Sequence, residues 1–218
     1  MSDIFREVDE EVRRDQAAQV WARYQNWFIA LAVLVVAATA GWRLYDHYRT
    51  KQAEEAGARY EAALALSRDG KAAEAEGVFE QIAKTGPKGY AVLSRLREAA
   101  EYSGSDPKAA VKAYDAIAAD GTIDPLFQNL ARLRAALLRL DEADEKEIES
   151  RLGTMTANDN PFRYSAREAL ALAALKHDDF DSAGRQLDTI VVDPQAPAAI
   201  RQRAEALLAV IRAGKQAK

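Results

Sequence analysis

Hydrophobic positions follow two different patterns along this 218-residue chain. Residues 24–42, YQNWFIALAVLVVAATAGW, hold no charged side chain over 19 positions, whereas later residues alternate short apolar stretches with charged ones. As an α-helix rising about 1.5 Å per residue, this stretch would span roughly 28 Å, close to the roughly 30 Å hydrocarbon core of a bilayer. The pattern predicts a transmembrane anchor over residues 24–45, between an N-terminal segment 1–23 and a helical domain 46–218.

Aromatic side chains flank the apolar stretch at both ends. Amphipathic rings favour the headgroup region of a bilayer, so their placement favours a membrane span over a buried core helix. Arginines stand close to the stretch on both sides, and charge alone therefore leaves the orientation open. The predicted membrane-interface residues are Trp21, Tyr24, Trp27, Trp42 and Tyr45.

A cleaved signal peptide is the alternative to an anchor. Ala38-Thr39-Ala40 has the A-x-A pattern of a cleavage site. The residues before the stretch mix acidic and basic side chains, unlike a short, positive signal n-region, and the apolar run continues past the site. The sequence therefore favours an uncleaved anchor.

Residues 1–23 carry a valine stripe, Val8, Val12 and Val20, with the spacing of an amphipathic helix. Such a helix either lies on the membrane surface or docks on another membrane protein. The expectation is an amphipathic N-terminal segment.

Polar turns recur beyond residue 66, with two Ala/Leu-rich segments of helical period between successive turns. Asp106 before Pro107 is typical of an N-cap followed by proline in the first turn. The turns are separated by 35, 37 and 36 residues, measured at Gly70, Ser105, Glu142 and Asp178. This period, with two helices per unit, resembles the tetratricopeptide repeat (TPR).

The second helix of each TPR unit requires a small residue, a large apolar residue four positions later and another packing residue three after that. Small residues let two helices approach closely, and one unit cannot bury its apolar face without neighbours. The third unit, around Ile148, Leu152 and Met155, is degenerate. The units that fit are Ala75/Phe79/Ile82, Ala110/Tyr114/Ile117 and Ala183/Leu187/Ile190.

The predicted fold is all-α: a single N-terminal transmembrane helix, a TPR-like α-solenoid of about four helix pairs, and a C-terminal capping helix over residues 197–212. An irregular helical bundle is the alternative. TPR grooves are lined mainly by first helices, so counting back from the small residues indicates positions that face a bound peptide. The predicted peptide-groove residues are Tyr60, Arg95, Tyr102, Asn129, Arg132 and Glu168.

The amino-acid composition excludes several kinds of functional site. The chain has no cysteine, two histidines and a net charge of -4 without a Lys/Arg-rich block. Disulfides and Cys-ligated metals are excluded, and a basic footprint for nucleic acid is missing. Phosphate-binding and hydrolase motifs are also missing. We therefore expect a non-enzymatic protein without cofactor, metal or small-molecule substrate.

The end of the apolar stretch and the start of the repeats, GWRLYDHYRTKQAEEAGARYEAAL at 41–64, resemble the bacterial inner-membrane TPR-like family described as the ancillary SecYEG translocon subunit. The opening MSDIFREVDEEVRRDQ is similar to the alphaproteobacterial version. The resemblance implies a cytoplasmic N-terminus, one uncleaved span and a periplasmic repeat domain. It also implies association with the SecYEG translocon and with periplasmic chaperones, and carries over no catalytic residue.

Two functions remain open. In the first, the repeats hold an unfolded or partner polypeptide near the translocon. In the second, the same surface docks one folded partner and coordinates envelope assembly or cell division.

Overall fold

A computed structural model describes the backbone of residues 2–216 and the side chains of residue 18 and residues 21–213. The chain divides into two units, Met1–Glu54 and Glu55–Lys218, so the last turns of α1 belong to the second unit. Each regular element within residues 2–216 is helical, which confirms the all-α prediction. The helices are α1 (Ser2–Arg68), α2 (Ala72–Thr85), α3 (Lys88–Ser105), α4 (Pro107–Ala119), α5 (Pro125–Arg139), α6 (Glu145–Leu152), α7 (Arg163–Lys176), α8 (Phe180–Val192) and α9 (Ala198–Gln216).

Within residues 21–54, the first unit is helical and its large apolar side chains are exposed. Its helix is long and apolar enough to cross a membrane, and none of the apolar window is buried inside the protein. Trp27 is 77% exposed and Val36 68%. Trp21 stacks on Phe28 with ring centroids 5.9 Å apart. The valine stripe predicted within residues 1–23 lies outside the described side chains.

The second unit stacks helix pairs in chain order. The first helices of the pairs are the end of α1 (residues 55–68), α3, α5 and α7; the second helices are α2, α4, α6 and α8. Consecutive helices pack together from α2 onward, and α3 touches α5, α5 touches α7, and α7 touches α9. This connectivity is that of a TPR-like solenoid, with α9 as the terminal helix.

The second-helix pattern predicted from sequence is buried in all four pairs. Ala75, Ala110 and Ala183, the predicted small residues, are fully inaccessible to solvent. The two larger residues that follow each of them are at most 4% exposed. The alternative of an irregular bundle is therefore wrong, because the buried positions repeat in register from pair to pair.

The third pair is also buried, but its second helix is short. Ile148 occupies the small position and is fully buried, as are Leu152 and Met155. α6 has only 8 residues and is continued by a 3-10 helix, Gly153–Thr156, which carries Met155. In this pair the helix type therefore changes between the last two residues of the pattern, Leu152 and Met155.

Aspartate side chains cap four of these helices. Asp106, at the predicted N-cap of α4, accepts a hydrogen bond from the backbone N–H of Ala109 at 3.0 Å. Asp124, Asp144 and Asp179 accept equivalent bonds at the starts of α5, α6 and α8. Pro107 and Pro125 follow two of the caps in the first helical turn, where a missing N–H costs nothing. These caps end the loops and fix where each helix begins.

Two turns within helix pairs require a left-handed residue. Gly70, between α1 and α2, has φ +77°, and Asp178, between α7 and α8, has φ 58°. Both turns reverse the chain in a few residues, and glycine adopts this conformation without steric cost.

We predict that Gly70→Ala lowers the free energy of unfolding by about 1 kcal/mol, because alanine is strained in the left-handed region. The matched control is Gly77→Ala: Gly77 is helical, exposed, and has open space where a Cβ would lie. That variant should gain about 0.5–1 kcal/mol from helix propensity. Circular-dichroism melts of the full chain in detergent measure both. Shifts of the same sign in the two variants would contradict the left-handed turn.

Candidate functional site

Two nearly identical segments lie on successive first helices: LSRLR at 93–97 on α3 and LARLR at 130–134 on α5, 37 positions apart. Ser94 and Ala131, at the small second position, are fully buried. Side chains four positions apart share one face of a helix. The first leucine and the last arginine of each segment therefore project together, as Leu93 with Arg97 and as Leu130 with Arg134.

These segments line one pocket, which we call the first-helix groove. It has a volume of about 270 Å³ between the end of α1, α3, α4 and α5. Its apolar lining consists of Leu93, Leu96, Ala100 and Leu130. Its polar lining consists of Tyr60, Arg97, Tyr114 and Arg134.

Apolar surface continues along α5 beyond the groove. Leu126 and Leu137 share the face of Leu130 by helical spacing, and are 46% and 41% exposed. Leu93, across the groove, is 37% exposed. Leu126, half-buried Leu130 and Leu137 together form a partly exposed apolar strip on one face of α5, which offers a partner more area than a single leucine.

Two tyrosines form part of the groove lining. The Tyr60 ring meets Phe79 edge-on at 5.4 Å between centroids and lies 6.1 Å from the Tyr90 ring. Burial raises the pKa of the Tyr60 phenol, and neighbouring Arg97 offsets part of that rise. Burial also raises the pKa of the Tyr114 phenol, against the influence of Arg134. Both hydroxyls are therefore neutral at neutral pH and can donate hydrogen bonds.

The two groove arginines differ in their partners. Arg97 donates to Glu101 at 2.7 Å and to Ser67 at 3.0 Å, and Ser67 itself donates to Glu101 at 2.7 Å. This network ties α1 to α3. Arg134 is exposed and forms neither an ion pair nor a hydrogen bond with any side chain that the structure describes.

Of the six residues predicted to contact peptide, Tyr60 lines the groove. Arg95 and Arg132 are the middle arginines of the two repeated segments and do not line it. Arg95 donates to Asp120 at 2.7 Å, and this bond, together with two hydrogen bonds from Thr122, lowers the pKa of Asp120 to about 2. Arg132 donates to Asn129 at 3.1 Å.

The last two predicted residues also make side-chain contacts within the domain. Glu168 accepts two hydrogen bonds from Arg203 of α9, at 2.6 and 2.7 Å. Tyr102 donates to Glu76 at 2.5 Å and lies 3.3 Å from Glu98. Their role in peptide binding stays a prediction, as does that of Tyr60, Arg95, Asn129 and Arg132.

The sequence contained a signal for the groove that position counting missed. Counting back a fixed number of residues from the small anchors gave Arg95 and Arg132. The repeated segment, leucine, a small residue, then Arg-Leu-Arg, identifies the residues that recur together. Helical spacing then places its last arginine on the face of its first leucine and its middle arginine on a different face. This comparison of the two segments would have selected Leu93, Arg97, Leu130 and Arg134.

The predicted membrane-interface residues lie in the first unit. Trp21, Trp27, Trp42 and Tyr45 are all more than half exposed, and Tyr24 is 48% exposed. The guanidinium carbon of Arg49 lies 5.8 Å from the centre of the Tyr45 ring. Within the described residues, no group of three or more His, Asp and Glu side chains is placed to hold a metal ion.

Comparison with known proteins places the repeats in a family. Residues 18–146, more than half of the chain, match the family described as the tetratricopeptide repeat-like domain. The chain belongs to this family. No curated protein and no solved structure matches it. TPR-like domains typically act as non-enzymatic scaffolds for protein interaction, which agrees with the exposed groove on the first helices of this TPR-like chain.

The half-buried carboxyl of Glu98, beside Tyr102, makes the stability of this TPR-like domain depend on pH. Burial raises the pKa of Glu98 above its ordinary 4.5, and Glu80 and Glu76 raise it further. The folded state therefore binds this proton more tightly than the unfolded state, and stability falls as pH rises from 4.5 through the raised pKa. We predict that Glu98→Gln removes this loss and raises the melting temperature at neutral pH.

The benefit of Glu98→Gln should vanish below about pH 4, where the native carboxyl is protonated in both states. Melting temperatures of the full chain in detergent, followed by circular dichroism across pH, test this. Glu149→Gln, at an exposed position on α6, is the control. A Glu98→Gln benefit that is the same at acid and neutral pH would contradict a titration origin.

Proposed function

We propose that this protein is a non-enzymatic, single-pass scaffold of the bacterial inner membrane that holds polypeptides in its first-helix groove at the Sec translocon. Its N-terminus lies in the cytoplasm and its TPR-like domain in the periplasm. Its clients are translocating or periplasmic polypeptides, received together with periplasmic chaperones. The observation that carries the proposal is the groove, where exposed Leu93 and half-buried Leu130 lie on two successive first helices beside Arg134, which has no ion-pair partner among the described side chains.

The groove has the composition of a peptide site. Leucines supply apolar area whose transfer out of water favours binding by about 25 cal/mol per Å². Tyrosine hydroxyls and guanidinium groups supply donors for the carbonyls and acidic side chains of a bound chain. The buried small residues behind the lining, Ser94 and Ala131, hold α3 and α5 in place, so the site is formed before a ligand arrives.

The membrane part of the proposal is supported by the apolar helix of the first unit and by the aromatic residues at its ends. Large apolar side chains exposed over such a length are unfavourable in water and favourable in a bilayer. The translocon, the chaperones and the orientation are supported by the resemblance of residues 41–64 to the ancillary translocon subunit family.

A photo-crosslinking amino acid at position 93 or 130 of the full-length chain tests the groove in living cells. We expect ultraviolet light to link both positions to a secreted polypeptide arrested in the translocon. Position 112, an exposed lysine on the second helix α4, is the control and should give no such adduct. Adducts with a single folded envelope protein would instead support the assembly-subunit function. Equal labelling from 93, 130 and 112 would contradict a groove function of either kind.

Topology is measured separately, with a reporter fused after Lys218 that is active only in the periplasm. We expect activity and a chain that fractionates with the membrane. A cytoplasmic signal would reverse the proposed orientation, and a mature N-terminus at Gly41 would contradict the anchor.

A further inference from the structure

We propose that the first-helix groove selects acidic amphipathic polypeptide segments, with apolar side chains placed against Leu93 and Leu130 and a carboxylate against Arg134. The inference rests on the proposed function, and adds to it the chemistry of the client.

Charge in the groove is not balanced by the protein itself. Its lining includes two arginines and no carboxylate. Glu101 compensates Arg97 through their 2.7 Å contact. Arg134 has no such partner in the part of the chain whose side chains are described. The groove therefore presents an unneutralised cation beside leucines, in a chain whose net charge is -4.

A second pocket of similar size shows what a balanced arginine cluster looks like in this domain. It lies between α4, α5 and α6, and its arginines are Arg139 and Arg151. Arg139 pairs with Glu142 and Glu147, and Arg151 pairs with Glu147 and Asp115. Those arginines connect helices, and their charges are neutralised by carboxylates of the domain. Arg134 has no such carboxylate among the described side chains.

Guanidinium geometry favours a carboxylate as the anion. Its planar fork of N–H donors matches two carboxylate oxygens, and such charge-assisted bonds are stronger than neutral ones. The neutral hydroxyls of Tyr60 and Tyr114 lie in the same lining and add donors without adding charge. An acidic side chain entering the groove would thus meet several donors at once.

A polypeptide fits the repetition of the site. Leucine and arginine occur as a pair on α3 and again on α5, and Leu126 and Leu137 extend the apolar strip along α5. Arg97 is already paired with Glu101, so a ligand that covers both leucines and pairs with Arg134 must itself carry apolar groups and an acidic group along its length. Polypeptide segments with alternating leucine and glutamate have this property.

The test measures binding of fluorescein-labelled peptides of about 12 residues to the full chain in zwitterionic nanodiscs, by fluorescence anisotropy. In one peptide every second residue is serine, and the positions between the serines hold leucine and glutamate in turn. A second has glutamine in place of every glutamate. We expect the glutamate peptide to bind about tenfold more tightly, and only its binding to weaken as salt is raised.

Arg134→Gln should bring the two peptides to equal affinity. This variant should leave the fold intact, because Arg134 is exposed and ties no described element to another.

 Arg185→Gln removes one exposed arginine from the second helix α8 and is the matched control, which should keep the tenfold preference. Leu93→Ser should weaken both peptides alike, because it removes apolar contact and leaves the charges in place.

The outcomes separate the two proposals. If neither peptide binds the parent chain, the proposed function fails. If both peptides bind equally, or if Arg134→Gln and Arg185→Gln behave alike, the preference for acidic segments is overturned while peptide binding stands. Tighter binding of the glutamate peptide that is lost only in Arg134→Gln supports the inference.

Discussion

Close approach of helices at small residues is the constraint on which the repeat domain depends. Ala63, Ala75, Ala99, Ala110 and Ala183 have no solvent-accessible surface. Side chains this small let neighbouring helices pack closely, so the larger residues beside them interdigitate in the space between. The same packing aligns the first helices side by side. The groove exists because their outward positions are left uncovered by this stacking.

The core is correspondingly divided among the helix pairs. One cluster joins the end of α1 to α2 around Phe79, and another joins α3, α4 and α5 around Tyr114 and Ile117. Two further clusters form around Leu152 and around Leu187. Because each pair contacts mainly its neighbours, a groove residue such as Tyr60 can take part in one cluster and still face a ligand.

The sequence predicted the fold well because its signals are local. Small residues, spaced apolar residues and Asp-Pro caps act within one or two turns, and they gave the second helices and the N-cap at Asp106 correctly. The unusual third pair was also located, although its shortened helix was not predicted. That outcome depends on how Ile148 and Met155 pack against α7, which is a tertiary property.

The groove was harder to predict than the fold. Fixed counting assumes an identical offset between the two helices of every unit, and a shift of two residues turns a helical side chain by about 200°. Arg95 and Arg132 were selected in this way, whereas Arg97 and Arg134 line the groove. Tyr60, also selected by counting, does line the groove, where its ring reaches Phe79 and Tyr90; its role in peptide binding stays a prediction.

Arginines show how structural and functional uses are divided within the repeats. Arg95, Arg139, Arg151 and Arg203 each pair with a carboxylate that lies on another element or in a loop. Partly exposed pairs of this kind contribute little stability individually, but they occupy the guanidinium groups within the domain. Arg134 stands in a sequence almost identical to that around Arg97, yet its α5 neighbours supply no carboxylate. Its charge is therefore available to a partner, at the position where exposed leucines already offer apolar contact.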